Sequence, residues 1–146
     1  MKLYLDTCCL HRPLDNKAEL RVSLESEAVL ALLALCESGQ TTLVSSDVLL
    51  FEVERNPNPQ RTAFVLEILA TAVAVVALDD QIEKRAKELE GRGVQALDAL
   101  HLASAEAGGV NFFCTCDDRL LKKAKTLADL RVVVRAPLEL VQEIAK

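Results

Sequence analysis

Short apolar runs, each too brief to be a helix, alternate along the chain with longer segments at helical spacing, and this restricts the fold more than anything else. Lys2–Leu5, Thr41–Val44, Ala72–Leu78, Asn111–Cys114 and Arg131–Val134 read as five strands. Between them Ser23–Glu37, Val48–Arg55, Gln60–Ala70, Gln81–Glu90, Gln95–Ala107 and Arg119–Leu127 read as helices, and Pro137–Ala145 as a last one with proline in its first turn. A loop through Arg12-Pro13-Leu14-Asp15-Asn16, the Asn56-Pro57-Asn58-Pro59 stop and the glycines at 91, 93, 108 and 109 separate these elements. Ala72–Leu78 is apolar throughout, the pattern of a strand buried on both faces. Strands parted by helices give a three-layer α/β/α sandwich with a mostly parallel sheet of about five strands and right-handed crossovers. The expected organisation is a single domain over residues 1–146, with no repeats or linkers.

Composition excludes several classes of function. Aromatic residues make up 3% of the chain and tryptophan is absent, which argues against a base-stacking platform for single strands. The net charge of −5 gives no overall pull toward a polyanion, so nucleic-acid binding would need a local basic patch or a bound cation. The longest apolar run falls far short of the about 20 residues that span a bilayer, and Met1-Lys2 leads straight into the first strand. An intracellular, cytoplasmic protein without a membrane partner is expected. Five cysteines, an odd number with no secretory signal, argue against a disulfide framework.

Within Gln95–Ala107, one residue breaks the burial pattern. Asp98 stands among Ala96, Leu97, Ala99, Leu100, Leu102 and Ala103, in a helix that reads as covered on most faces. A carboxylate there should carry a proton, a partner or a metal. In open α/β sheets the functional crevice lies beyond the carboxyl ends of the strands. Asp6 follows the first strand, Asp117 and Asp118 follow the fourth, and Glu52 lies in the apolar helix directly after the second. Carboxylates brought together this way repel unless a cation compensates, and an all-oxygen set suits Mg²⁺ or Mn²⁺. Each acid has a plainer reading. Asp117 suits a helix cap, with Thr115-x-x-Asp118 as a capping box; Glu52 suits a solvated face; Asp6 suits a turn. Asp79 and Asp80 also follow a strand, but Asp80-x-x-Glu83 explains them as a capping box.

The ordered set Leu5-Asp6-Thr7, Ser46-Asp47-Val48-Leu49-Leu50-Phe51-Glu52, Leu97-Asp98-Ala99-Leu100-His101-Leu102-Ala103-Ser104-Ala105 and Thr115-Cys116-Asp117 resembles a PIN domain. The resemblance covers essentially the whole chain. It implies a metal-dependent ribonuclease of the kind found as a stand-alone prokaryotic toxin paired with an antitoxin. By the same resemblance Asp6, Glu52, Asp98 and Asp117 are the acidic, Mg²⁺- or Mn²⁺-binding catalytic set. Asp118 is then an adjacent auxiliary acid, with Thr7 and Thr115 as supporting polar residues. The implied chemistry is hydrolysis of RNA by activated water, without a side-chain nucleophile.

Other features remain beside this reading. Arg119, Lys122, Lys123 and Lys125 suit either a phosphate-binding face or a solvated helix surface. His101 reads as a packed, hydrogen-bonded core residue. Cys8, Cys9, Cys114 and Cys116 bring four thiols near the crevice, open to oxidation or soft-metal binding but without the C-x₂-C spacing of a zinc site. Apolar helices such as Ala28–Cys36 and Val65–Ala70 leave room for a homodimer. A phosphohydrolase of the haloacid-dehalogenase type also puts an Asp after the first strand, but its D-x-D signature fails at Cys8. A non-catalytic PIN-like binding module is the other alternative.

Overall fold

The computed structural model describes residues 1–145. Five strands form one all-parallel sheet: β1 (Lys2–Leu5), β2 (Thr42–Ser46), β3 (Ala74–Val76), β4 (Phe112–Cys114) and β5 (Val133–Arg135), in the order β3-β2-β1-β4-β5. Among the described residues eight α-helices accompany them: α1 (Thr7–His11), α2 (Leu20–Glu37), α3 (Asp47–Glu54), α4 (Pro59–Leu69), α5 (Asp80–Gly91), α6 (Ala96–Ala107), α7 (Asp118–Ala124) and α8 (Pro137–Ile144).

The strand order fixes the layers. Moving from β1 to β2 to β3 runs one way across the sheet, and from β3 to β4 to β5 the other way. With right-handed crossovers, α2 and α4 therefore cover one face and α5, α6 and α7 the opposite one. Packing agrees, since α8 returns to lie on α2 while α5 lies on α6. The two central strands hold the core: Leu3, Tyr4, Leu5, Phe113 and Cys114 have no solvent exposure, and Tyr4 stacks on Phe113 at 5.2 Å between ring centroids. Each such leucine side chain contributes roughly 1.5–3 kcal/mol by its burial. At Gly108, behind α6, an added Cβ would stand 2.8 Å from Val76 Cγ2, so only glycine lets the helix end approach the sheet this closely.

Several expectations change. The segment Ala72–Leu78 is not a strand buried on both faces. Only Ala74–Val76 is extended, it forms the sheet edge, and Val73 and Val75 are 60% and 53% exposed. A continuous apolar run fits a buried strand, but the strand order leaves β3 with one neighbour. Thr7–His11, expected to lie in no regular element, is a helix capped by Asp6, and Arg12–Leu14 continues as a 3₁₀ turn. The cap of α5 is Asp79, which accepts from the Ile82 amide at 2.8 Å; Asp80 is the first helical residue rather than the head of a capping box. Likewise α7 is capped by Asp117 and not by Thr115. Among the described residues no helix is long and apolar enough to cross a membrane.

Candidate metal centre

Asp6 enters the crevice because β1 ends beneath it. Its backbone extends the ladder to β4, donating to the Cys114 carbonyl at 2.9 Å, and its side chain then turns back to cap α1 by accepting from the Thr7 amide at 2.9 Å. The hydroxyl of Thr115, just past β4, donates to the other carboxylate oxygen at 3.0 Å and accepts from the Asp117 amide at 3.1 Å. One threonine thus ties together the acids following two adjacent strands. The Asp6 carboxylate is only 6% exposed. Burial, reinforced by neighbouring Cys8 and Glu52 and offset by His101 and the Thr115 hydroxyl, pushes its pKa up to about 7.

Glu52 reaches the same place from α3, whose N-terminus is fixed by Ser46: the hydroxyl accepts from the Leu49 amide at 3.0 Å. Its Oε1 accepts from the Thr7 hydroxyl and from His101 Nε2, the latter at 2.9 Å. Burial works against the charge, but these two bonds and the nearby histidines outweigh it and hold the carboxyl below its usual range. His101 is 1% exposed, as expected of a packed residue, yet it is more than core filling. Its Nδ1 is 2.6 Å from the Tyr4 hydroxyl, which is 2.7 Å from Ser46 Oγ. One proton arrangement satisfies the chain: Ser46 donates to Tyr4, Tyr4 to Nδ1, and Nε2–H to Glu52. Burial holds the Tyr4 hydroxyl protonated, consistent with that direction. Nothing local in the sequence marks Tyr4 as a site residue, and Ser46 enters there only as the first residue of the Ser46–Glu52 motif.

Asp98 is placed differently from its sequence reading. It is the third residue of α6, in the first turn, and partly rather than fully buried; its neighbour Leu97 is 38% exposed. The deeply buried acid of this helix is Glu106, gripped by Arg85 through bonds of 2.7 and 3.1 Å. Burial and the charges of Asp6 and Asp117 nevertheless raise the Asp98 pKa to about 6. Asp98 and Asp117 line a cavity of about 190 Å³ together with Gly93, Gln95, Arg119 and Lys123. Asp117 both caps α7, accepting from the Arg119 amide at 2.9 Å, and faces this cavity. Gly93, at φ +97°, lies so close to the Lys123 amine that a side chain at position 93 would displace it.

Asp6 and Glu52 thus lie together at one end of the sheet, while Asp98 and Asp117 line a cavity close enough for the charge of Asp6 to act on Asp98. The donor atoms of Asp6, Glu52 and His101 lie within 4.8 Å of one another, and Asp6 and Asp117 both act electrostatically on Asp98. Asp118 stands apart. It points from α7 to Arg21 of α2, held by two bonds of 2.9 Å. The set suits a hard divalent cation: oxygen donors, two of them with pKa values raised by burial and mutual repulsion. With both nitrogens of His101 already bonded, that residue orients Glu52.

A parallel α/β sandwich with carboxylates gathered beyond the ends of its two central strands is the class of architecture that fold and site define. The PIN domain model matches residues 3–126, and the chain belongs to the PIN domain family. Among solved structures it is similar to VapBC2 from Rickettsia felis bound to a DNA fragment from its promoter, at 16% identity and a TM-score of 0.60, covering 93% of this chain and 98% of that one. It is also similar to DNA-bound VapBC from Salmonella typhimurium, at 18% identity and a TM-score of 0.59, covering 94% and 98%. These likenesses establish the fold. No curated protein matches the sequence.

Proposed function

We propose that the protein is a metal-dependent endoribonuclease that hydrolyses RNA phosphodiesters at the Asp6, Glu52, Asp98 and Asp117 site, acting as the toxin of a toxin-antitoxin pair. The observation that carries this reading is the pairing of Asp6 with Glu52 beside the Asp98 and Asp117 cavity, with Asp6 and Asp98 pushed up to pKa values of about 7 and 6. Family membership supports the nuclease reading. Because the structural neighbours were solved as VapBC assemblies on DNA, an antitoxin partner is a reasonable extension of it.

Asp6, Glu52, Asp98 and Asp117 would hold Mg²⁺ or Mn²⁺, which would neutralise their charge, activate water and stabilise the leaving oxygen. The remaining work belongs to the chain. Thr115 and the α1 amide hold Asp6 in one orientation, and the Ser46–Tyr4–His101 relay holds Glu52, so the donors need little reorganisation. Arg119 and Lys123 line the cavity beside Asp98 and Asp117, a suitable place to bind the phosphate backbone. This favours the phosphate-binding reading of these two residues over that of a merely solvated helix face.

Incubating the purified protein with mixed-sequence RNA in Mn²⁺, and again with excess chelator, tests the reading. Cleavage with the ion and none with chelator is expected, along with no hydrolysis of phosphomonoesters. Phosphomonoester hydrolysis with intact RNA would instead favour a phosphatase, and no ion-dependent cleavage of any RNA would favour a binding module.

A further inference from the structure

Behind the acidic crevice lies a second cluster of metal-ligating side chains that the nuclease reading does not use. Cys8 and Cys9 stand on α1, and Cys116 lies in the loop after β4. In sequence these are a Cys-Cys pair and a distant third cysteine, without the spacing of a zinc site. The fold joins them, because β1 and β4 are neighbours with Leu5 opposite Cys114, and both chain segments leave the sheet at the same end.

We propose that Cys8, Cys9 and Cys116 form a binding site for a thiophilic cation of the Zn²⁺ type, distinct from the site for the hard cation. Their sulfurs all lie within 4.8 Å of one another. Cys9 Sγ is 3.5 Å from Cys116 Sγ and 3.7 Å from Cys114 Sγ. Zinc–thiolate bonds of about 2.3 Å arranged tetrahedrally set sulfurs about 3.8 Å apart, so these thiols already stand near the spacing of a metal-thiolate centre. The Cys116 amide donates to Cys8 Sγ at 3.3 Å, which ties the two cysteine-bearing segments together. The Arg12 guanidinium shares a surface pocket with Cys116 and is held there by Asp15 at 3.0 Å and Glu25 at 3.2 Å. Soft sulfur selects Zn²⁺ over the Mg²⁺ or Mn²⁺ suited to the carboxylates. Cys9 and Cys116 are buried, while Cys8 is partly exposed and gives an entry route.

The two sites touch at one atom. Cys8 Sγ also sits 3.6 Å from Asp6 Oδ2 and 3.4 Å from Thr115 Oγ1. Cys36, bonded to Thr41 at the far end of α2, is an internal control.

The test is titration of the reduced, metal-stripped protein with Cd²⁺, followed by the sulfur-to-metal charge-transfer absorption and by competition with Zn²⁺. One equivalent should bind with that absorption and be displaced by Zn²⁺. Cys8→Ser and Cys116→Ser should each weaken binding by at least the ~10–100-fold that loss of a mere supporting partner costs a metal site. Cys36→Ser should bind as the parent does. Absence of the absorption at one equivalent, or its persistence in both Cys8→Ser and Cys116→Ser, would overturn the proposal. Should those variants fail to fold, alkylation of the parent protein read by mass spectrometry decides: Zn²⁺ should protect Cys8 and leave Cys36 reacting as before, and equal reactivity of Cys8 with and without Zn²⁺ would contradict the site.

Discussion

At the scale of single residues, the acids of the crevice divide by how they are held. Glu52 and Asp6 are anchored by hydrogen bonds, whereas the Asp98 pKa is set by burial and by its acidic neighbours. This has a pH signature in metal-free protein. The folded-state pKa of Asp98, about 6, exceeds the ordinary 3.8, so the folded protein binds this proton more tightly than the unfolded chain. Its contribution is therefore present below about pH 4 and lost as pH rises toward 6 and above. In chelator, the melting temperature of Asp98→Asn should exceed that of the parent at pH 8, and the difference should shrink at pH 5. A difference that stays constant with pH would show that Asp98 carries no such strain. His101 supports Glu52 through its Nε2, so His101→Ala should lower kcat with Mn²⁺ while leaving RNA binding nearly intact; an equal loss in binding alone would place it elsewhere.

Among elements, α6 is the piece that brings chemistry to the sheet, and it is held in place by an ion pair outside the site. Glu106, with a fully buried carboxylate, is gripped by Arg85 of α5 and by the Arg131 amide at 2.9 Å. Truncating Arg85 to alanine leaves the buried carboxylate with Arg131 alone, at 3.5 Å from its guanidinium, so chemical denaturation should show a loss of roughly 1–3 kcal/mol. The existence and rough position of each strand along the chain are legible in the sequence, because each is a short run between breaks. It did not disclose that β3 would be an edge, since strand order is a long-range property that no local window contains. Helix α1 escaped notice for another reason: at five residues it is too short to show periodicity, and only its Asp6 cap marks it. The site was legible as residue types at strand ends, but Asp98 was singled out on a burial argument that applies better to Glu106. The relay from Ser46 through Tyr4 to His101 was hidden, because it joins β1, β2 and α6 across 42 and 97 residues of sequence.

For the whole molecule, the sheet order decides where function can lie. The chain leaves β1 in one direction toward β2 and crosses back to β4, so the site lies beyond the carboxyl ends of β1 and β4, where Thr115 bridges to Asp6. A crevice so charged is a weak point in the metal-free fold, and a cation that binds only the folded state should repair it. At about 100 times its dissociation constant, Mn²⁺ should add about 2.7 kcal/mol at pH 8. At pH 5, where Asp6 and Asp98 are protonated, thermal melts should show a smaller gain. The most direct measurement is the rate of RNA cleavage in saturating Mn²⁺ by the parent and by Asp98→Asn, each shown to be folded by its melting transition. Loss of a metal ligand should slow cleavage by about a hundredfold or more; cleavage by Asp98→Asn at the parental rate would contradict the four-acid site.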